Sequence, residues 1–264
     1  MFWRSKRTVV PVVRLAGTIG LASPLRPGLS LATVERPIER AFAMKGPAVA
    51  IVVNSPGGSP VQSSLIFQRI RALAAERKKT VLTFVEDVAA SGGYWLATAG
   101  DEIFADATSL VGSIGVVTAT FGFPDLLEKI GVERRVYTIG ENKAILDPFR
   151  PEKESDILIL KAVQADVQEA FVSVVKARRA DRLADDPDLF TGRFWSGAAA
   201  VRLGLVDGLG DLRAVLRERY GERVAIRPVA AARRPFWRRL GVAPSAEEII
   251  GAVRADQLWA RCGL

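Results

Sequence analysis

The chain of 264 residues contains no histidine. That absence excludes a Ser-His-Asp triad, in which imidazole is the base. It holds one cysteine, Cys262, two residues from the end. No disulfide can close within the chain, and no histidine is present to activate the thiol; a reducing compartment fits. The same scarcity argues against a zinc site of the usual kind. Long apolar runs are also missing. A spanning helix needs about 20 mostly apolar residues, and no window supplies them. The apolar run after Met1-Phe2-Trp3-Arg4-Ser5-Lys6-Arg7 is broken by Pro11 and Arg14, so no secretory signal is read. A cytoplasmic chain is expected, with peripheral contact at the inner face of the membrane as its membrane option. The formal net charge of +8 could attract nucleic acid, anionic lipid or acidic proteins. No nucleic-acid motif accompanies it, so no nucleic-acid partner is expected and a solvated basic surface is the commoner use.

Against these absences stands one serine. Ser91 lies in Ala89-Ala90-Ser91-Gly92-Gly93-Tyr94-Trp95. A serine hydroxyl is a weak nucleophile until a base takes its proton. Without histidine, the remaining base is a neutral lysine amine, and Lys143 stands in a suitable place.

The chain is 49% hydrophobic and 25% charged, enough for a sizeable core. Val9–Leu21 reads as a strand and turn, and Leu31–Met44 as a short helix. Ala48–Val53 is a continuous β-branched apolar run, the mark of a strand buried on both faces. A turn at Asn54-Ser55-Pro56-Gly57-Gly58-Ser59-Pro60 follows. The spacing of Leu65, Ile66, Ile70, Leu73 and Ala74 predicts a helix over Ser63–Lys78. Thr80–Val85 reads as a second buried strand, followed by the Ser91 loop and a short helix. Further strands are expected at Ile103–Ala105, Gly115–Thr118 and Arg135–Ile139, with a helix at Pro124–Ile130. Pro151–Ala180 reads as one long helix, Leu212–Tyr220 as another, and Val224–Val229 as a last strand. Repeated strand–helix units predict an α/β fold with parallel pairing. The tail changes character. Arg233, Arg234, Arg238 and Arg239 surround Phe236 and Trp237, and Ser245–Cys262 reads as an amphipathic helix. Such a tail suits an interfacial anchor or, more commonly, a helix packed on a neighbouring subunit. The expected organisation is a catalytic domain over 1–229 and a basic aromatic segment with the helix over 230–264.

Four segments carry the chemistry. In Ser55-Pro56-Gly57-Gly58, glycines after a buried strand can expose backbone N–H groups, as an oxyanion hole requires; alone, Pro-Gly-Gly is also an ordinary turn. In Ser91-Gly92-Gly93, a serine at a helix start can be held exposed; alone, it also reads as a helix N-cap. In Gly112-Ser113-Ile114-Gly115, Ser113 can orient an amine or simply sit in a turn. In Gly140-Glu141-Asn142-Lys143-Ala144-Ile145-Leu146, Lys143 has mostly uncharged neighbours. Burial would lower its pKa and leave an amine able to accept a proton.

Together, Asn54-Ser55-Pro56-Gly57-Gly58, Ala90-Ser91-Gly92-Gly93-Tyr94 and Gly112-Ser113-Ile114-Gly115-Val116 resemble the S49 peptidase family of signal peptide peptidase A and its relatives. The separations of 52 positions from Ser91 to Lys143 and 22 from Ser91 to Ser113 resemble those of its short bacterial members. Phe194-Trp195-Ser196-Gly197 and Leu203-Gly204-Leu205-Val206-Asp207 resemble the segment that closes their fold. The resemblance implies a single ClpP/crotonase-like domain of repeated ββα units with a helical tail. It implies Ser91 as nucleophile, Lys143 as general base, Ser113 orienting the lysine, and the Gly57 and Gly58 backbone as oxyanion hole. It further implies a homo-oligomeric ring in which the lysine can reach a neighbour's serine, apolar peptide substrates such as signal-peptide remnants, and no cofactor. Many relatives begin with a membrane anchor, whereas this chain starts almost at its first strand. Two alternatives differ in class: a catalytically silent peptide-binding or scaffolding ring, and a crotonase-like acyl-CoA enzyme using Glu86 and Asp87 as its acid–base groups.

Overall fold

A computed structural model describes residues 7–20, 28–230, 253 and 256–263. In chain order its elements are β1 (Val9–Ala16), α1 (Leu31–Ala43), β2 (Ala48–Ser55), α2 (Pro60–Arg77), β3 (Thr80–Ala90), α3 (Gly92–Ala97), β4 (Glu102–Ala105) and β5 (Leu110–Gly112). There follow α4 (Pro124–Lys129), α5 (Glu154–Arg179), β6 (Phe194–Ser196), α6 (Gly197–Arg202), β7 (Gly208–Leu209), α7 (Leu212–Tyr220) and β8 (Ala225–Pro228). The chain divides into two compact units, one of residues 1–115 with 171–264 and one of 116–170. The second lies within the catalytic domain expected over 1–229.

The first unit is built on an eight-stranded sheet of order β6-β5-β3-β2-β1-β8, with β4 pairing both β3 and β7. Every pairing is parallel except β5 with β6. The reason is legible in β2, all eight residues of which are buried. Successive side chains of a strand point to opposite faces. Val49, Ile51 and Val53 enter one core, with Ile38 and Phe42 of α1 and Ile66 and Ile70 of α2. Ala48, Ala50 and Val52 enter a second core, closed by Val215 and Leu216 of α7. A sheet covered on both faces needs apolar residues at both parities, hence the unbroken run.

Helix α2 starts at Pro60, three residues before the expected Ser63. Ser59 caps it by accepting from the Gln62 N–H at 3.4 Å, and proline is suited to the first helical position. The expected strands at Gly115–Thr118 and Arg135–Ile139 are absent; neither segment has regular structure. A strand requires a neighbour for its ladder, and neither segment has one among the described residues. Conversely β5, β6 and β7 are two or three residues long, too short for any periodicity to show.

The second unit contains α4 and the first part of α5, and none of its residues is buried. The basic aromatic stretch 231–240 and most of the expected tail helix lie outside the described residues. No helix among those described is long and apolar enough to cross a membrane.

Candidate active site

Strand β3 delivers Ser91 to the carboxyl end of the sheet. Its backbone there has φ 52° and ψ −124°. Left-handed φ is uncommon for any residue but glycine, and such strain costs of order 1–3 kcal/mol. It is held from both sides. The Ser91 N–H donates to the Gly112 carbonyl at 2.8 Å, and the Ser91 carbonyl accepts from the Trp95 N–H at 3.1 Å. An ordinary capping serine has extended backbone and lends its oxygen to the next turn. Ser196 does that before α6, with φ −65°, ψ 156° and a bond from the Ala199 N–H at 3.3 Å. Ser91 does neither, for its side chain makes no capping hydrogen bond. Ser91 is only partly buried, at the start of a wholly buried helix.

The turn after β2 lies directly against this serine. A Cβ on Gly57, whose φ is +105°, would stand 2.8 Å from the Ser91 Cβ and 2.9 Å from the Ala90 carbonyl oxygen. A Cβ on Gly93 would stand 2.2 Å from the Ser55 carbonyl oxygen. The glycines on both sides therefore permit an approach of backbone to backbone that no side chain would allow. The two expected oxyanion donors differ. The Gly57 N–H donates to the Ser55 hydroxyl at 3.2 Å. The Gly58 N–H has no hydrogen-bond partner among the described residues. It lies 3.5 Å from where a Gly92 Cβ would be. A third donor, the Gly92 N–H, opens α3 and is likewise without a partner among the described residues. The sequence reading missed it, although every helix leaves its first N–H groups unpaired.

Pairing of β3 with β5 sets Ala90 opposite Gly112. Ser91 and Ser113 are thus the next residues on two parallel neighbours, and Ser113 has the matching φ of 53°. Its N–H donates to the Arg193 carbonyl at 2.7 Å. Strand β6 closes this side, with the Trp195 ring 2.8 Å from where a Gly112 Cβ would be.

Lys143 lies in the second unit, on the turn over residues 141–146, and its N–H donates to the Gly140 carbonyl at 3.1 Å. Its side chain is exposed, which corrects the burial expected from its uncharged neighbours. Those neighbours are adjacent in the chain, but their unit has no core in which to enclose an amine. The structure thus brings together Ser91, Ser113, Gly57 and Gly58 in one unit and holds Lys143 in the other.

Behind the serine, the end of α5 is tied into the sheet. Arg179, 1% exposed, makes a paired contact with Asp207 at 2.8 and 3.1 Å and donates to the Gly204 carbonyl at 2.8 Å. Arg178 and Arg71 converge on Asp101. Burial pushes both carboxyls up. For Asp101 the Val81 N–H and the two guanidiniums outweigh it, and for Asp207 the Arg179 guanidinium and the Ile103 N–H do, so both lie below the ordinary value. Tyr94 is buried with its hydroxyl on the Leu205 carbonyl at 2.8 Å, and burial pushes its phenol well up. The carboxylates of the acyl-CoA alternative are engaged elsewhere: Glu86 with Arg14 and Asp87 with Asn54.

Comparison with known proteins gives the family. The model of Peptidase family S49 matches residues 74–223, a span that includes Ser91, Ser113 and Lys143. The chain belongs to the S49 peptidase family, and its largely parallel α/β sheet is the ClpP/crotonase-type fold of that family. The chain is 55% identical over 263 residues to a protein of Brucella abortus (strain 2308) named Na(+)/H(+) antiporter NhaA. That match takes in 99% of this chain and 35% of the Brucella protein. A Brucella melitensis protein of the same name matches to the same extent. The chloroplastic serine protease SPPA of Arabidopsis thaliana is 34% identical over 215 residues, 78% of this chain and 31% of its own length. The chain therefore spans about a third of these relatives, and the peptidase match falls within the part shared with the Brucella proteins.

Proposed function

We infer that this chain is a serine endopeptidase working through a Ser91–Lys143 dyad on apolar peptides such as signal-peptide remnants. The observation that carries the reading is Ser91 itself, a strained serine whose side chain makes no capping hydrogen bond and which lies against a turn whose Gly58 N–H is without a partner among the described residues. The Lys143 amine takes the Ser91 proton as Oγ attacks the peptide carbonyl. The Gly58 N–H, with its glycine neighbours at 57 and 92, receives the oxyanion. The lysine then protonates the leaving amine, and water activated by the same amine releases the acyl-enzyme. Ser113 orients the lysine. The chemistry calls for no cofactor.

Lys143 needs a drier setting than its own unit offers. A homo-oligomeric ring supplies one, with the lysine of one copy serving the serine of another. Exposed Phe121, Tyr137 and Ile139 in the lysine's unit favour such assembly over a solitary chain. The expected location is cytoplasmic, and the composition of the basic aromatic segment suits contact with the inner face of the membrane.

The test is labelling by an active-site serine phosphonate in wild type, Ser91→Ala and Lys143→Ala, with size-exclusion as the assembly control. Labelling lost in both variants while assembly persists is the expected result. Labelling that survives Ser91→Ala would put the nucleophile elsewhere. A well-assembled wild type that neither labels nor cleaves peptides would favour the silent ring.

A further inference from the structure

The loop that carries Lys143 is more tightly built than its unit. Three residues after the lysine, Leu146 has φ 55°, a left-handed conformation that leucine seldom adopts. Its N–H is bound by the Asp156 carboxylate at 3.2 Å. The next residue, Asp147, has a side chain only 5% exposed, in a unit where no whole residue is buried. Its carboxylate accepts from the Phe149 N–H at 3.1 Å and from Arg134 Nε at 3.1 Å, with Arg150 at 3.9 Å. The Arg134 guanidinium also lies 4.8 Å over the Phe149 ring, and Phe149 packs on Phe123 at 5.5 Å. The Phe123 N–H reaches the Pro148 carbonyl at 2.6 Å.

Carboxylates are seldom enclosed unless paired, and enclosing one is a poor way to gain stability. Such groups earn their place more often by fixing one geometry. Here the geometry they fix is the exit of the lysine turn. A loop residue displaced by about 1 Å can cost a reaction on the order of a hundredfold, and an exposed lysine has no core to set its position.

We propose that Asp147, held by Arg134 and the Phe149 N–H, and Asp156, holding the Leu146 N–H, form a clasp that positions Lys143 for its role as base. They are positioning residues, since neither is required to touch the substrate. The proposal rests on the Ser91–Lys143 reading above. It adds that the aim of the base is set by two carboxylates within its own unit.

The experiment uses the assembled full chain and compares wild type, Asp147→Ala, Asp147→Asn, Asp156→Asn and Lys143→Ala. Peptide hydrolysis gives kcat and KM, and hydrogen exchange of the peptide covering 141–150 gives loop order directly. The clasp predicts faster exchange in that peptide for Asp147→Ala. It also predicts kcat down roughly ten- to a hundredfold, with KM and assembly little changed. Asp147→Asn, which can still accept from the Phe149 N–H, should lose less than Asp147→Ala. A merely structural role would lower the melting temperature without this split of kcat from KM. Unchanged exchange in both Asp147→Ala and Asp156→Asn overturns the clasp. Faster exchange with wild-type kcat, beside an inactive Lys143→Ala, overturns the positioning role and leaves the dyad standing. A Lys143→Ala variant with wild-type kcat overturns the dyad, and the positioning role with it.

Discussion

The two units solve the problem of holding a side chain in opposite ways. In the first, every residue of β2 is buried, while between 116 and 170 no residue is. Ser91 and Ser113 are kept in left-handed backbone by sheet pairing and by the close-packed turn at Gly57. Leu146 is kept at a similar positive φ with its N–H on a carboxylate. A dense core can hold a strained residue because every neighbour would have to move with it. A unit without a core must hold it with charge and hydrogen bonds, which water can compete for. The proposed nucleophile is thus built into the scaffold, and the proposed base is held by a lighter device.

The largest expected effect breaks the first unit where α5 enters it. Arg179→Ala would leave Asp207 and the Gly204 carbonyl without their buried partner. Removing one member of a buried pair costs about 3–5 kcal/mol, and chemical denaturation should show a loss of that order. A loss under about 1 kcal/mol would mean that Arg182, 3.3 Å from Asp207, takes over the charge. Next comes Gly57→Ala. Its Cβ has no room beside Ser91, so the turn must shift and take the backbone donors with it. The expected fall in kcat is about a hundred- to a thousandfold, as for loss of an oxyanion donor. Steady-state kinetics beside a thermal melt would separate this from unfolding.

Acid should also act on the first unit. Asp101 and Asp207 both lie below the ordinary carboxylate value when folded. Their contribution is therefore present above the unfolded value of 3.8, and is lost as pH falls through the folded values. The melting temperature should hold steady through neutral pH and drop below about pH 4. Asp101→Asn and Asp207→Asn should each start lower and fall less steeply. Parallel acid curves for wild type and variants would sink this account.

The sequence made some of this legible and hid the rest for physical reasons. A strand covered on both faces must be apolar at both parities, so the run at Ala48–Val53 announces itself. The Ser91 segment could be found because glycines are needed wherever backbone meets backbone. Val116-Val117 and Val136-Tyr137 look like strands because β-branched and aromatic residues favour strands, but a ladder needs a neighbour that composition does not reveal. The exposure of Lys143 was hidden because uncharged neighbours in the chain are not neighbours in space. Arg179 and Asp207 stand 28 positions apart and share no motif, so their pairing emerges only when α5 meets the sheet. The Gly92 N–H, without a partner among the described residues, follows from the helix expected there, since every helix leaves its first N–H groups unpaired.

The smallest effect on the stability of a single chain should come from the second unit's surface. Tyr137 is 90% exposed and Ile139 fully so. Replacing either by serine removes little that the folded chain has buried, and surface changes of this kind usually stay within about 0.5 kcal/mol. Melting of the Tyr137→Ser and Ile139→Ser variants should therefore follow wild type under conditions where the chain is monomeric. Size-exclusion at higher concentration gives the contrast. If these side chains are covered by another copy, their loss takes apolar contact from the interface alone, and the assembled fraction should fall while the monomer's melt does not. A drop in monomer stability would show instead that they pack within the chain, and would narrow the contrast between the two units.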